Sequence, residues 1–253
     1  MDRWVGKVAV VTGASAGIGV SIVKELVDRG MVVVGLARRV ETVEELAKTL
    51  SDRKGKLYAV KADVCKEEDV AEAFDWVRKN LGIIHVLVNN AGYAPYTFIA
   101  NLQREQYSKI KLCFDTNVVG VIMCTNEALK LMREKGIDDG HIVNINSVSG
   151  HYIKQKPGFY VYNASKHSLR VITEGLRREL LEAKSMIRVS SISPGYVPTE
   201  IRVAGEVPNL DKYVADMPAI TADDVTASVI HALAAPPEVQ IAEIIVRPVG
   251  SVF

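Results

Sequence analysis

The sequence predicts an α/β fold: one domain in which a doubly wound, seven-stranded parallel sheet carries helices on both faces. Short, nearly continuous apolar runs of four to seven residues alternate with longer amphipathic stretches, and the turns between them are short. No composition shift or internal repeat divides the 253 residues. Such apolar runs suit strands that are buried on both faces, as parallel sheets require, and the alternation with helices suits a doubly wound arrangement.

The predicted elements follow this alternation along the chain. The seven predicted strands are Val8 to Thr12, Val32 to Ala37, Leu57 to Ala62, Val86 to Asn89, Ile142 to Asn146, Arg188 to Ile192 and Ile241 to Val246. The predicted helices are Ile18 to Arg29, Glu41 to Asp52, Lys66 to Asn80, Arg104 to Lys135, Tyr162 to Ala183 and Ala222 to Ala234. Gly30 supplies a stop for the first helix, and the fourth stretch is long enough for two helices or one bent helix.

Composition and charge exclude several classes of protein. Lys and Arg number 31 against 30 Asp and Glu, a net charge of +1, so no basic field would attract nucleic acid or an anionic membrane. The longest apolar run, Met31 to Ala37, is far shorter than the roughly 20 residues that span a bilayer. The start of the chain lacks a signal-peptide apolar region, and the three cysteines lack paired or metal-like spacing. We therefore expect a cytoplasmic protein without membrane insertion or a metal site.

A glycine-rich turn follows the first strand, in the segment from Thr12 to Gly19. Gly13 suits a tight turn, Gly17 allows the backbone to approach a phosphate, and Gly19 permits close packing of helix on sheet. The free N–H groups and the dipole of the following helix would bind a pyrophosphate. The same glycines could form an ordinary turn, but the strand before and the helix after them favour dinucleotide binding.

The end of the second strand indicates which dinucleotide is bound. An acidic residue at this point would bind the 2′-hydroxyl of the ribose, but the chain has Ala37 there, followed by Arg38 and Arg39. A guanidinium offers charge-assisted hydrogen bonds to a 2′-phosphate. The alternative is that both arginines are solvated surface residues. The missing acid is the stronger part of the argument, and the sequence predicts NADP(H) as cofactor.

A tyrosine four residues before a lysine is the second chemical signature, and it occurs three times: Tyr107 with Lys111, Tyr152 with Lys156, and Tyr162 with Lys166. Pro157 follows the second pair at once, and the first lies in a charged helix far from any strand end. The third pair opens a helix downstream of a strand whose carboxyl end carries Ser147. Ligands of parallel sheets bind at that edge, so the third pair is the candidate acid–base group.

Together these motifs resemble the short-chain dehydrogenase/reductase family over essentially the whole chain. The matching elements are Thr12-Gly13-x-x-x-Gly17-x-Gly19, Asn89-Asn90-Ala91-Gly92, Asn117, Ser147, Tyr162-x-x-x-Lys166 and Pro194-Gly195. The segment from Asp139 to His151 and the ending Arg247-Pro248 resemble a subgroup that contains the dehydrogenase/reductase member 11 type 17-beta-hydroxysteroid dehydrogenases and the insect farnesol dehydrogenases. The resemblance implies a Rossmann fold and an NADP-linked enzyme that acts on a steroid, an isoprenoid or a similar lipophilic alcohol or ketone.

The resemblance also implies a role for each catalytic residue. Tyr162 would exchange a proton with the substrate oxygen, and Ser147 would hydrogen-bond that oxygen. Lys166 would bind the nicotinamide ribose and lower the pKa of Tyr162, while Asn117 would hold a water that extends the proton relay. With the glycine turn and the arginines, the expected cofactor contacts are Gly13, Ser15, Ala16, Gly17, Ile18, Gly19, Arg38, Arg39, Asp63, Val64, Asn89, Ala91, Gly92, Tyr162, Lys166, Pro194, Gly195, Val197 and Thr199.

Two points about this site stay open in the sequence. Ser147 and Tyr162 are fifteen residues apart, about two more than is usual in the family, so Ser149 is an alternative hydroxyl, although alternation along the strand end favours Ser147. Apolar residues near two of the motifs could line a substrate entrance or form ordinary contacts between lid and core. These residues are Tyr93, Tyr96, Phe98, Val203, Val207, Leu210, Tyr213 and Met217.

Two other functions are compatible with these residues and this fold. A broad carbonyl reductase of small dicarbonyls or quinones would use the same residues, and a non-catalytic dinucleotide-binding regulator could use the same fold.

Family members commonly pair through the two long helices, which implies a homodimer or homotetramer. These helices carry more apolar residues than one sheet face should cover, unless the whole set is buried within one chain. The residues concerned are Ile110, Leu112, Phe114, Val118, Val121, Ile122, Leu129, Leu131, Leu169, Ile172, Leu176, Leu180 and Leu181.

Overall fold

A computed structural model describes residues 1–153 and 157–251, and its described strands form one parallel sheet. The strand order is β3-β2-β1-β4-β5-β6-β7, and every neighbouring pair is parallel. The strands are β1 (Val8–Thr12), β2 (Val32–Ala37), β3 (Lys56–Lys61), β4 (Val86–Asn89), β5 (His141–Ile145), β6 (Arg188–Pro194) and β7 (Glu243–Val246). The predicted doubly wound, seven-stranded parallel sheet is confirmed.

The α-helices lie between the strands, as the amphipathic stretches predict. They are α1 (Gly17–Asp28), α2 (Val40–Thr49), α3 (Glu67–Asn80), α4 (Tyr107–Phe114), α5 (Gly120–Glu134), α6 (Tyr160–Glu182), α7 (Ile201–Ala204), α8 (Leu210–Val214) and α9 (Ala222–Ala234). The stretch predicted as two helices or one bent helix consists of α4 and α5, joined by a π-helical turn at Asp115–Val119. A 3₁₀ turn at Val148–Gly150 follows β5.

The direction of the chain connections reverses in the middle of the sheet. From β1 the chain moves outward to β2 and β3, and then returns to place β4 on the other side of β1. At such a switch point the connections leave the carboxyl ends of the two central strands in opposite directions and open a crevice. The ends of β1 and β4 therefore mark the expected ligand site.

The core consists of two large apolar layers, one on each face of the sheet, and one small separate cluster. Successive residues of a strand pack into opposite layers, as Val10 and Val11 of β1 do. Ile22 of α1 covers one face, and Phe74 of α3 covers the other. The small cluster, centred on Ala94, Phe159 and Val207, is hereafter the aromatic cluster.

Candidate active site

A cavity of about 490 Å³ opens at the carboxyl ends of the central strands. One end is lined by the glycine turn at residues 13 and 15–18, and the other by Ser147, Tyr162 and Lys166. Most of the predicted cofactor contacts line this cavity: Gly13, Ser15, Ala16, Gly17, Ile18, Arg38, Arg39, Asp63, Val64, Ala91, Gly92, Tyr162, Lys166, Pro194, Gly195, Val197 and Thr199. The fold thus brings residues from seven segments of the chain to one crevice.

The glycine turn leaves the first turn of α1 open to a ligand. Gly17 has φ +54°, and a Cβ there would lie 2.9 Å from Cγ2 of Thr199, which covers the turn from the segment after β6. Ala16 offers no side-chain cap, and the first turn of α1 has no acidic residue. Its N–H groups are therefore free to bind an anion. Gly19 does not line the cavity; a Cβ there would lie 2.2 Å from the Gly13 carbonyl oxygen, so its role is packing.

Two adjacent asparagines at the end of β4 have different roles. Asn89 was expected to contact the cofactor, but it does not line the cavity, and its amide donates to Asn144 Oδ1 at 2.9 Å within the core. Asn90, the second residue of the same motif, lines the cavity and donates to the Thr12 carbonyl at 2.9 Å. Neighbouring side chains at a strand end point to opposite faces, a signal that could have identified Asn90. Asn90 thus ties β4 to the glycine turn.

The two arginines after β2 differ in their partners. Both are exposed and line the cavity beside buried Ala37. Arg39 Nη2 lies 2.8 Å from Glu200 Oε2, an exposed ion pair that spans the cavity between two of its lining segments. Arg38 forms no ion pair within the described part of the chain. Arg38 is therefore the guanidinium available to a phosphate here.

The candidate catalytic hydroxyls meet at the start of α6. Ser147 caps the 3₁₀ turn, since its Oγ accepts from the Ser149 backbone N–H at 3.1 Å, and its side chain acts to lower the pKa of Tyr162. Ser149 is fully buried and does not line the cavity, so the geometry favours Ser147 over this alternative. Lys166 Nζ donates to the Ile145 carbonyl at 2.8 Å and lies 5.8 Å from the centroid of the Tyr162 ring.

Burial controls the protonation of these groups in the free protein. It raises the pKa of Tyr162 to about 12, although the Ser147 hydrogen bond and the Arg202 cation act in the opposite direction. Burial likewise lowers the pKa of Lys166 to about 8. The sequence reasoning expected Lys166 to lower the pKa of Tyr162, whereas in the free protein the net shift is upward because desolvation disfavours the phenolate. At neutral pH Tyr162 is thus a neutral proton donor.

Asn117 lies in the π-helical turn and joins three parts of the site. Its Oδ1 accepts from the Tyr93 backbone N–H at 2.8 Å, and its Nδ2 donates to the Tyr93 carbonyl at 2.8 Å and to Ser165 Oγ at 2.9 Å. These bonds connect the loop after β4 to α6, the helix that carries Tyr162. Asn117 is fully buried and does not line the cavity. Single π turns are frequent at functional sites.

The described residues of the other two Tyr-x-x-x-Lys pairs, Tyr107, Lys111 and Tyr152, do not line the cavity. Tyr107 is exposed on α4, and Lys111 Nζ lies 2.6 Å from Asp115 Oδ2. Lys156 lies outside the described residues. Tyr162 and Lys166 are both described, and both line the cavity.

The substrate end of the cavity differs from the expected set of apolar residues. Of that set, Tyr93 lines the cavity, whereas Tyr96, Val207, Leu210 and Tyr213 pack in the aromatic cluster behind it. These four residues therefore form ordinary contacts between lid and core and do not line a substrate entrance. The lining residues that sequence reasoning missed include Phe159, Tyr196 and the buried Arg202.

Neither a metal-binding cluster nor a membrane-spanning helix is present in the described part of the chain. No group of three or more His, Cys, Asp or Glu side chains there could hold a metal ion. None of its helices has the length and apolar character needed to cross a membrane.

Comparison with known proteins identifies the family. Residues 7–206 match the family model described as short chain dehydrogenase. The chain belongs to the short-chain dehydrogenase/reductase family. It is 46% identical over 254 residues to a farnesol dehydrogenase of Aedes aegypti, which it covers completely, and 40% identical over 258 residues to dehydrogenase/reductase SDR family member 11 of Bos taurus, also at full coverage of both chains. The predicted family and subgroup are confirmed.

Solved structures agree with the fold and with the class of cofactor. A serine dehydrogenase in complex with NADP+ superposes with a TM-score of 0.86 at 29% identity, covering 97% of this chain and 96% of its own. A family member from Burkholderia phymatum in complex with NAD gives a TM-score of 0.84 at 27% identity, with coverage of 97% and 90%. The protein is an oxidoreductase whose fold binds a nicotinamide dinucleotide, and these neighbours include both forms of it.

Proposed function

We propose that this protein transfers a hydride between NADP(H) and the alcohol or carbonyl carbon of a lipophilic substrate, a farnesol-like isoprenoid or a 17- or 3-hydroxy or keto steroid, with Tyr162 as general acid and base. One observation carries the proposal: a single cavity joins the open N-terminus of α1 and Arg38 to Ser147, Tyr162 and Lys166. The similarity to a protein named farnesol dehydrogenase supports the choice of substrate class.

The lining residues fit NADP(H) by their chemistry. The first turn of α1 offers free N–H groups and no acid, which suits a pyrophosphate. Ala37 leaves space where an acid would repel a 2′-phosphate, and Arg38 supplies the cation. Asp63 and Val64 would contact the adenine, and Pro194, Gly195, Val197 and Thr199 would pack on the nicotinamide. When bound, NADPH supplies the hydride.

The protein residues orient the substrate oxygen and move its proton. Ser147 would hydrogen-bond the carbonyl oxygen, and Tyr162 would donate its proton to that oxygen during reduction. Because burial keeps Tyr162 protonated at neutral pH, the free protein is prepared for carbonyl reduction. Lys166 would bind the nicotinamide ribose, and Asn117 would hold the water of the proton relay next to it.

The choice between NADP(H) and NAD(H) is tested at Arg38. Loss of one charged hydrogen-bond partner costs about 1.5–3 kcal/mol, so Arg38→Ala should weaken NADPH binding roughly ten- to hundredfold and leave NADH nearly unchanged. Arg39→Ala is the matched control, since Glu200 already pairs with Arg39, and its effect should be smaller. Adding Ala37→Asp to Arg38→Ala should shift the preference toward NADH. Equal affinity of the unmodified protein for the two cofactors would contradict the proposal.

The substrate class is tested by NADPH oxidation with a panel of a keto steroid, farnesal and diacetyl. The proposal expects the highest kcat/KM with one of the two lipophilic carbonyls, because aromatic and apolar side chains surround the substrate end. A preference for diacetyl would replace it with the carbonyl-reductase alternative. Binding of NADPH without turnover of any carbonyl would favour the non-catalytic regulator.

We also propose that the protein is a homodimer or homotetramer that pairs through its long helices. Of the apolar residues expected at this contact, Leu129, Leu131, Leu169 and Leu180 are among those buried within the chain. Each helix nevertheless exposes apolar side chains, which supports a contact: Val119, Ile122, Val171 and Leu181. Sedimentation at micromolar concentration should give a multiple of 27.7 kDa, and a fully active monomer would exclude the interface.

We place the protein in the cytoplasm. Cys65, Cys113 and Cys124 are all free thiols, and Cys113 lies close to the site, with Sγ accepting from Asn117 Nδ2 at 3.4 Å. Free buried thiols suit a reducing compartment. Fractionation of cells that express the tagged chain should recover it with cytosolic markers, and recovery with secreted or organelle markers would overturn the placement.

A further inference from the structure

Arg202 is a buried cation in the wall of the cavity. It lies in α7, a short helix after β6, and only 6% of its surface is exposed. The same cavity is lined by Ser147 and Tyr162. An arginine keeps its charge in proteins, so the substrate end of this cavity carries a full positive charge. That charge does not fit a cavity built for a purely apolar ligand.

The surroundings of Arg202 are aromatic, and the described residues supply no counter-ion to it. Its guanidinium carbon lies 4.6 Å from the centroid of the Tyr196 ring, 5.2 Å from that of Tyr213 and 5.3 Å from that of Phe159. No Asp or Glu of the described residues lies within ion-pair distance of Arg202. Its Nη1 is buried without a hydrogen-bond partner. Contacts with ring faces offset part of the burial cost of a charge, but they do not satisfy N–H donors.

A role in holding α7 in place does not account for this guanidinium. Backbone and surface bonds hold the segment: the Tyr96 N–H donates to the Gly205 carbonyl at 3.0 Å, and Lys109 Nζ lies 2.6 Å from Glu206 Oε2. Activation of Tyr162 does not account for it either. Arg202 lowers the pKa of Tyr162, yet burial still leaves that pKa at about 12, so the cation does not produce a phenolate.

We propose that Arg202 binds a carboxylate carried by the substrate, so that the preferred substrates are lipophilic oxo or hydroxy acids. A carboxylate in the cavity would neutralise the buried charge of Arg202, and a guanidinium can offer its two oxygens parallel N–H donors. The rings of Phe159 and Tyr196 would contact the apolar body between the acid and the reacting carbon. This inference rests on the proposed function, to which it adds a carboxylate at the end of the lipophilic body of the substrate.

The reaction itself is unchanged by this contact. The carbonyl carbon of the oxo acid gains the hydride of NADPH, and the carbonyl oxygen gains the Tyr162 proton. The carboxylate stays ionised at Arg202 and takes no part in bond making. Arg202 would therefore act on binding and orientation of the substrate.

The test compares three ketones that differ at one end. The first is a medium-chain methyl ketone that ends in a carboxylate, the second is the methyl ester of that acid, and the third ends in a methyl group instead. Each is assayed with NADPH at successive chain lengths. Because a charge-assisted hydrogen bond is gained, kcat/KM for the acid should exceed that for the ester roughly ten- to hundredfold at the best length. Equal kcat/KM for acid and ester in the unmodified protein would overturn the inference without any variant.

Variants identify the residue responsible. Arg202→Met should abolish the preference for the acid and leave the two neutral ketones within a few-fold of the unmodified protein, while Arg202→Lys should keep part of the preference. Arg133→Met removes an exposed arginine on α5 and is the matched control. If Arg202→Met instead lowered kcat equally for all three ketones and shifted the pH profile, Arg202 would serve Tyr162 and the inference would be wrong.

A binding measurement separates this inference from the proposed function. A saturated fatty acid of the best chain length and its methyl ester are titrated calorimetrically into the unmodified protein and into Arg202→Met. If the unmodified protein binds the acid and Arg202→Met does not, the carboxylate site is supported. If in addition no ketone is reduced, only the proposed function is overturned. Reduction of the ketones with equal binding of acid and ester would overturn only the role of Arg202.

Discussion

Two buried arginines at opposite ends of β6 have nearly the same exposure and opposite surroundings. Arg188, the first residue of the strand, is 3% exposed, and its Nη1 donates to the carbonyls of Ala235, at 3.2 Å, and Val239, at 3.0 Å. Arg202, beyond the end of the strand, is 6% exposed and has an Nη1 without a partner. Both guanidinium groups keep one buried N–H without a partner, but Arg188 is bonded into the fold, whereas Arg202 lines the cavity, where a ligand can approach it.

The same contrast extends to the two edges of the sheet. At the amino edge, His85 Nδ1 accepts from the Val8 N–H at 3.1 Å and His141 Nε2 lies 2.8 Å from Ser190 Oγ. Burial lowers the pKa of His85 to about 4 and that of His141 to about 3, so both are neutral structural groups. At the carboxyl edge, Tyr162 and Lys166 also have shifted pKa values, but both line the cavity. Shifted pKa values therefore indicate function only where a ligand can reach them.

The largest expected effect is at the carboxyl edge. Tyr162→Phe keeps the ring and removes the proton donor, so turnover of any accepted carbonyl should fall about 10²–10⁴-fold while NADPH binding is retained. Tyr160→Phe, at an exposed position one half-turn earlier in α6, is the control and should stay active, as should Tyr152→Phe. Steady-state kinetics and NADPH titration measure both. Retention of more than half the turnover by Tyr162→Phe would refute the assignment.

The next effect concerns stability and compares the two arginines directly. Arg188→Met leaves carbonyls at the end of α9 without a donor and should cost about 3 kcal/mol of unfolding free energy, a fall in Tm of roughly 6–12 °C. Arg202→Met removes an unpaired buried charge and should stay within about 1 kcal/mol of the unmodified protein. Urea unfolding gives both values. Equal losses would show that the two guanidinium groups have the same structural role.

The smallest effect is the pH dependence of stability at the amino edge. The unfolded chain protonates His141 below about pH 6.5, but the folded chain does so only near pH 3, so protons favour the unfolded state between these values. Stability should fall as pH falls from 6.5, with a His141 contribution on the order of 1 kcal/mol per pH unit. His141→Gln should reduce this slope in urea unfolding at pH 7 and pH 5, whereas His231→Gln, at an exposed site, should not. An unchanged slope would argue against His141.

The sheet could be predicted because its strands are marked by local composition. The runs Val8–Thr12, Val32–Ala37 and Val86–Asn89 coincide with β1, β2 and β4, since strands buried on both faces need continuous apolar residues. The edge strand β7 was predicted from Ile241 but begins at Glu243. Its residues alternate between exposed and half-buried, so its apolar pattern is weaker than that of the central strands. The π turn at Asp115–Val119 could not be predicted, because it depends on the packing of α4 and α5 against other elements.

The site was predicted as far as its chemistry depends on residue type and position at a strand end. Ser147, Tyr162 and Lys166 follow from that rule, and all three line the cavity. Asn89 was chosen where Asn90 lines the cavity, because the motif does not state which side chain faces the ligand. Arg202 was passed over among its apolar neighbours, since a sequence does not reveal that a charged residue is buried without a counter-ion.

The π-helical turn also sets the rotational phase of the helix that follows it. A π turn contains about one residue more than an α turn, and each residue rotates an α-helix by about 100°. Tightening Asp115–Val119 to α geometry would therefore turn α5 by about that angle and carry Cys124 and Leu131 out of the core, where both are fully buried. The apolar face of α5 thus keeps the turn wide. Asn117 is held in place by the phase of a core helix as well as by its own hydrogen bonds.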